Sequence, residues 1–308
     1  MRSLKIFLEH VGFHLPVLHD WLAERDDLRT KYNGLWTKPG HFYSPIPSLT
    51  ELENSRNAIF SDSKELAGID LNLETQLDLL DRFQVWYDEQ PFPAEKTPNR
   101  RYHFENPNFS YSDALVLYFM MRHLHPRRII EVGSGFSSCA MLDVDELFLK
   151  GTEFTFIEPY PEKLLLNLLS ETERSRLRIF SRNVQEIDPA VFQELEPNDI
   201  LFIDSSHVSK TGSDVNYLMF KVLPALQPGV HIHVHDIFQS FEYPAEWVFQ
   251  GRAWNESYLL RAFLSFNDKF KIQFFTSYLM HHFHNRFETR FPLMLKCPGA
   301  GIWISRVE

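Results

Sequence analysis

Four short stretches gather side chains that can do chemistry. In Glu131-Val132-Gly133-Ser134-Gly135-Phe136-Ser137-Ser138, glycines and serines follow one apolar run and open another. Glycine lets a backbone approach a ligand, and the free N–H groups of a helix start hold polar ligand atoms, so this is the local chemistry of a nucleotide site. Glu158-Pro159-Tyr160 offers a carboxylate able to accept both hydroxyl hydrogens of a ribose. Asp204-Ser205-Ser206-His207 and His235-Asp236 combine carboxylate with imidazole, a pairing suited to proton transfer or cation binding. An isolated terminal Asp is usually a helix cap. Four acidic or imidazole termini in succession are not explained by capping.

These residues need a frame that brings them to one rim. From about residue 109, helices near 111–124, from 136, and at 161–170, 188–195 and 213–226 alternate with strands at 128–132, 153–159, 176–180, 199–207 and 230–236. That rhythm predicts an α/β fold with a doubly wound, mostly parallel sheet, in which ligands bind beyond the carboxyl ends of the strands. Segments 270–279 and 301–307 add two strands, giving seven, with the later one expected antiparallel at the sheet edge. Before this, Leu73, Leu77, Leu80, Phe83 and Tyr87 recur at helical spacing, two prolines in 40–48 force an extended path, and three prolines mark 90–100 as a linker. The expected organisation is an N-terminal mostly helical cap and linker over 1–100 and a ligand-binding domain over 101–308.

A formal charge of −10 argues against a grip on nucleic-acid phosphates, and no apolar stretch is long enough to span a membrane. The first sixteen residues, with Glu9 and His10 soon after a short apolar run, make a poor signal peptide. Cys139 and Cys297 build no disulfide framework, so a reducing cytoplasm is expected. Aromatic residues reach 15%, with 28 Phe, which implies a bulky core.

The dinucleotide fingerprint would need glycine at 138, where this chain has Ser138. The ordered set instead resembles the class I S-adenosylmethionine-dependent methyltransferases, over roughly residues 105–308. Their first motif, an acid and two glycines in alternation, is matched by Glu131-Val132-Gly133-Ser134-Gly135, and the acid ending their second strand by Glu158. FIDSSH followed by LQPGVHIHVHDIF is similar to the small-molecule group with a strand-four Asp, a nearby His and a strand-five His-Asp pair. The resemblance implies S-adenosylmethionine as cofactor and a class I Rossmann-like sheet. Glu131, Gly133, Ser134 and Gly135 would then belong to the cofactor motif, with Gly133 to Gly135 approaching the methionine part. Glu158 would hold the ribose hydroxyls, Tyr160 would line the adenosine pocket, and Asp204 would face the methionine end. Asn183 stands where the superfamily often has Asp facing the adenine amine, and an amide oxygen can accept the same bond.

The implied activity is methyl transfer to an oxygen, with nitrogen second, of a small-molecule acceptor, without nucleic acid or membrane; a homo-oligomer is compatible with it. Asp204, His207, His235 and Asp236 are the candidate catalytic residues. They are also candidate ligands of a divalent cation such as Mg²⁺, which would lower the pKa of the acceptor. The mixed His/Asp set departs from an all-oxygen magnesium site and favours a histidine acting directly as base. His231 and His233, on one strand face with His235, read as structural, and HHFHN at 281–285 reads as solvated loop histidines. Trp247, Arg252, Trp254 and Glu256 are candidates for a wall above the reacting centre, and Tyr43 for a lid. The rival readings are a nicotinamide-dependent oxidoreductase, which Ser138 and the lack of a Tyr-x-x-x-Lys pair oppose, and a cofactor-binding homologue without catalysis.

Overall fold

Seven short, β-rich runs pair into one sheet: β1 (Arg128–Val132), β2 (Glu153–Ile157), β3 (Arg178–Phe180), β4 (Ile200–Ile203), β5 (His231–His235), β6 (Phe270–Phe275) and β7 (Gly301–Arg306). The structure is a computed structural model that describes residues 35–61 and 64–308. The N-terminal stretch read as a poor signal peptide lies outside the described residues. Spatial order is β3-β2-β1-β4-β5-β7-β6. The first five strands run parallel, and β7 is antiparallel to both β5 and β6. The chain leaves β1 toward β2 and β3, then returns to place β4 on the other side of β1. The switch point of the sheet is therefore the crevice between β1 and β4, where such sheets bind ligands.

Among the described residues, the helices of seven or more residues are α1 (Leu73–Tyr87), α2 (Tyr111–Leu124), α3 (Phe136–Val144), α4 (Glu256–Leu264), α5 (Thr276–His282) and α6 (His284–Arg290). α2 is apolar nearly all round and is buried along its length, as a helix between sheet and outer layer should be. The helix expected over 213–226 is a run of three short turns, since Pro224 cannot donate into a helical ladder. Strand 199–207 stops at Ile203, which leaves Asp204 to His207 as a loop beyond the sheet.

Two expectations are corrected. β7 is antiparallel but lies inside the sheet, and β6 forms the edge. Gly301 to Ser305 of β7 are all buried, a pattern for a strand covered on both faces, whereas β6 begins with buried and part-buried residues in alternation. The histidines of 281–285 sit at the end of α5 and the start of α6 rather than in a loop, with His284 paired to Glu288 at 3.3 Å.

The chain forms two compact units, one of Met1–Ser61 with Val248–Ala253 and one of Asp62–Trp247 with Trp254–Glu308. The division thus falls near 61 rather than near 100. The reason is α1, whose Leu79, Leu80 and Phe83 are buried in the main core. Phe83 stacks on Phe119 of α2 at 5.0 Å and meets Phe274 of β6 at 5.3 Å. The fully buried Gln76 accepts the N–H of Phe275 at 2.7 Å, so a polar bond also ties α1 to the sheet edge. Among the described residues no helix is long and apolar enough to cross a membrane.

Candidate active site

The turn after β1 is shaped from below by Glu131. This carboxyl is fully buried, and Ser137 Oγ (2.5 Å) and Ser138 Oγ donate to its two oxygens. Burial pushes its pKa up to about 8 against the pull of both serines. Ser138 Oγ also accepts the N–H of Gly135 at 3.0 Å. Glu131 and Ser138 thus pin the turn and the first residues of α3, and Glu131 does not line the ligand space. Gly133 has φ +81°, and a Cβ there would lie 1.7 Å from the carbonyl oxygen of Asp204. Only glycine lets the β1 turn press onto the end of β4 this closely.

A cavity of about 370 Å³ opens at this crevice, within the range of small-molecule sites. Gly133, Glu158, Asn183, Asp204, Ser205 and Asp214 are among its walls. Glu158 accepts the N–H of Tyr160 at 2.9 Å and that of Ser134 at 3.4 Å, which fixes its carboxylate at the end of β2. Asn183 donates to Glu186 at 2.7 Å, leaving its amide oxygen as acceptor. Tyr160 is 55% exposed, carries Lys163 over its ring at 4.1 Å, and is not part of this wall.

Beyond β4 and β5, side chains of three segments converge. His207 Nδ1 meets Glu256 at 2.9 Å, while its Nε2 faces Asp204 at 3.4 Å and Asp236 at 3.6 Å. His235 Nε2 lies 3.9 Å from Asp236. His207 (φ +58°) and Asp236 (φ +55°) both adopt left-handed backbone, uncommon for residues with a Cβ and a conformation that gathers at functional sites. The His207 carbonyl accepts the N–H groups of Asn255 and Glu256, so the β4 loop is tied to the start of α4.

Burial opposes a charge on His207, but pairing with Asp204 and Glu256 outweighs it and pushes the pKa up to about 10. Likewise burial is overcome at Asp204, which His235 and His207 hold below the usual carboxylate value. A histidine that keeps its proton at neutral pH does not take one from an acceptor, so the direct-base role expected of His207 does not fit this geometry. Burial drives His231 down to about 4 and His233 well below its ordinary value. His233 stacks between Phe202 at 4.2 Å and Trp303 at 4.8 Å, a core position. Among the described residues no group of three or more His, Cys, Asp or Glu is arranged to hold a metal ion.

Sequence reasoning missed Asp113, in the first turn of α2. Gly299 lies so close that a Cβ there would meet the Asp113 carboxyl oxygen at 1.8 Å, and the Ala300 N–H donates to Asp113 while the Ala300 carbonyl accepts the N–H of Asp236. The backbone of one residue, Ala300, therefore couples Asp113 to the rim. Burial, eased by His235 and reinforced by Asp236 and Asp204, pushes its pKa up to about 7. Asp113, Tyr111 and Lys296 help line a second cavity of about 560 Å³. The one signal in the sequence was a lone carboxylate in an otherwise apolar helix. Of the proposed wall, Trp254 covers His207 at 4.4 Å with Trp247 behind it at 5.4 Å, and Glu256 is a direct partner of His207. Tyr43 and Arg252 belong to the smaller unit.

A family described as "Methyltransferase domain" matches residues 130–237, from β1 through the end of β5. An uncharacterized protein of Archaeoglobus fulgidus is 36% identical over 181 residues, covering 56% of this chain and 81% of that relative. Among solved structures, an SAH-bound methyltransferase of Podospora anserina aligns with TM-score 0.41 and 16% identity over 86% of this chain and 99% of its own. An O-methyltransferase of Streptomyces achromogenes in complex with SAM aligns with TM-score 0.40 and 14% identity over 84% of this chain and 95% of its own.

Proposed function

We propose that this chain, which belongs to the class I S-adenosylmethionine-dependent methyltransferases, moves the cofactor's methyl group onto an oxygen, with nitrogen second, of a small molecule. The observation that carries the reading is the meeting of the Gly133 turn with Asp204 at the switch point, with Glu158 across the cavity. The residues present suit the cofactor. Ser205 borders the cavity with a buried hydroxyl that has no protein partner. Buried donors of this kind are normally satisfied, and a polar ligand would satisfy them. Glu158 gives one bond from each oxygen to the backbone and keeps acceptor positions for two ribose hydroxyls. The backbone of Gly133 to Gly135 would hold the methionine end, and the Asn183 oxygen the adenine amine.

The bound sulfonium supplies an activated methyl group, so the chain's task is alignment and removal of the acceptor's proton. Asp113, with its pKa near 7, is best matched to take that proton, and the 560 Å³ cavity beside it gives the acceptor room. The charge of −10 supports a small acceptor over a polyanion. Calorimetric titration should find S-adenosylmethionine and its demethylated product bound and NADH bound negligibly. Tight NADH binding with no S-adenosylmethionine binding would replace this reading by the oxidoreductase one.

A further inference from the structure

We propose that His207 is a built-in counter-cation: its Nε2–H faces Asp204 and Asp236 together, in the place a divalent cation would need, while Glu256 holds the ring from behind. Asp204 and Asp236 are the two carboxylates concerned. They come from the ends of neighbouring strands β4 and β5, and strand ends that each present an acid toward one point are how oxygen donors surround a hard cation at about 2.0–2.6 Å. Here that point is already faced by a side chain, at 3.4 Å from one carboxylate and 3.6 Å from the other.

The ring is not free to leave. Glu256 engages Nδ1 at 2.9 Å, the Trp254 ring lies against it at 4.4 Å, and both N–H groups at the start of α4 close on its carbonyl. His207 is 5% exposed and Glu256 2% exposed, so this charge balance is shielded from solvent. With protons on both nitrogens the imidazole has no lone pair to give a metal, and it supplies N–H donors to carboxylates on both sides. Glu256 acts through His207 and is a positioning residue. The inference rests on the methyltransferase reading only for its location at the rim, not for its chemistry.

Manganese serves as the probe, because free Mn²⁺ is read directly by electron paramagnetic resonance and needs neither cofactor nor acceptor. The full chain should leave the Mn²⁺ signal unchanged. His207→Ala should take up about one equivalent, and adding Asp204→Asn to that variant should abolish the uptake. One equivalent bound by the unaltered chain and lost in His207→Ala would make His207 a metal ligand and overturn the proposal. Silence in a folded His207→Ala protein would overturn it as well, since nothing would then have been filling a cation's place. If His207→Ala does not fold, His207→Gln answers the same question: it removes the cation and offers an acceptor oxygen in its place, so Mn²⁺ uptake is expected and continued silence counts against the clamp. S-adenosylmethionine titrated into the same samples judges the functional reading separately.

Discussion

Ser138 occupies the position at which a dinucleotide fingerprint would have its third glycine, and the structure gives that departure a use. Its hydroxyl joins the buried Glu131 to the Gly135 N–H, so the acid of the motif is a support for the turn rather than a ligand contact. The motif was legible from residue types, but the role of its acid was not, because spacing does not tell which way a buried carboxylate is engaged. Asp113 was illegible for a different reason. Its partners at Gly299 and Ala300 stand far along the chain, and only the close approach of that loop brings them together. The Glu158 carboxylate is the sharpest test at this scale. If it holds the ribose as proposed, replacing it by Ala would remove two charge-assisted bonds, each worth about 1.5–3 kcal/mol. Affinity for S-adenosylmethionine should fall by one to a few orders of magnitude, with little change in the Tm of the ligand-free protein. Calorimetry that finds the affinity unchanged would remove Glu158 from the ribose site.

At the level of elements, strands were easier to read than helices. β-branched and aromatic runs marked β1, β2 and β5 closely, because buried parallel strands are continuous apolar runs, while the expected β4 ran past its end at Ile203 into the loop. The helices after β2, β3 and β4 broke into short turns, and no periodicity foretold it. The place of β7 between β5 and β6 is set by tertiary pairing, which local pattern does not carry. The misplaced boundary at residue 100 has the same origin: α1 looked like a cap helix by spacing, yet its apolar face completes the main core. This yields a prediction. Residues up to Ser61 belong to the smaller unit and none of 35–61 is buried, so a chain lacking 1–61 should keep the main unit folded and bind cofactor. One lacking 1–100 loses Leu79, Leu80, Phe83 and Phe92 from the core. Each such loss costs about 2–5 kcal/mol, against a total stability of about 5–15 kcal/mol, so this shorter chain should be insoluble or unfolded. Circular dichroism of the two truncations decides the point, and a well-folded 101–308 chain would restore the boundary at the proline-rich stretch.

At the level of the whole molecule, the site makes the ligand-free protein sensitive to alkali. The fully buried Glu131 has its pKa raised to about 8 and Asp113 to about 7, from ordinary values near 4, so between those limits the folded chain holds protons that the unfolded chain has released. His207, raised from 6.5 to about 10, adds the same imbalance above pH 6.5, and His235 is raised in the same direction by its acidic neighbours after burial is overcome. Where the folded state binds more protons, stability falls as pH rises. The core histidines oppose this only at lower pH: His231, lowered to about 4, makes stability rise with pH between about 4 and 6.5 and adds nothing above. The stability contributed by His207 is thus complete below pH 6.5 and is lost progressively toward pH 10. The Tm of the cofactor-free chain should therefore fall steadily between pH 6.5 and 9. Glu131→Gln keeps an acceptor and a donor for the two serine hydroxyls and removes one of the titrating groups. Its Tm should therefore decline less steeply between pH 6.5 and 8 than that of the unaltered chain. Scanning calorimetry across this range provides the measurement, and a Tm that holds level or climbs from pH 6.5 to 9 would mean that the rim and the β1 turn do not carry their protons as the geometry requires.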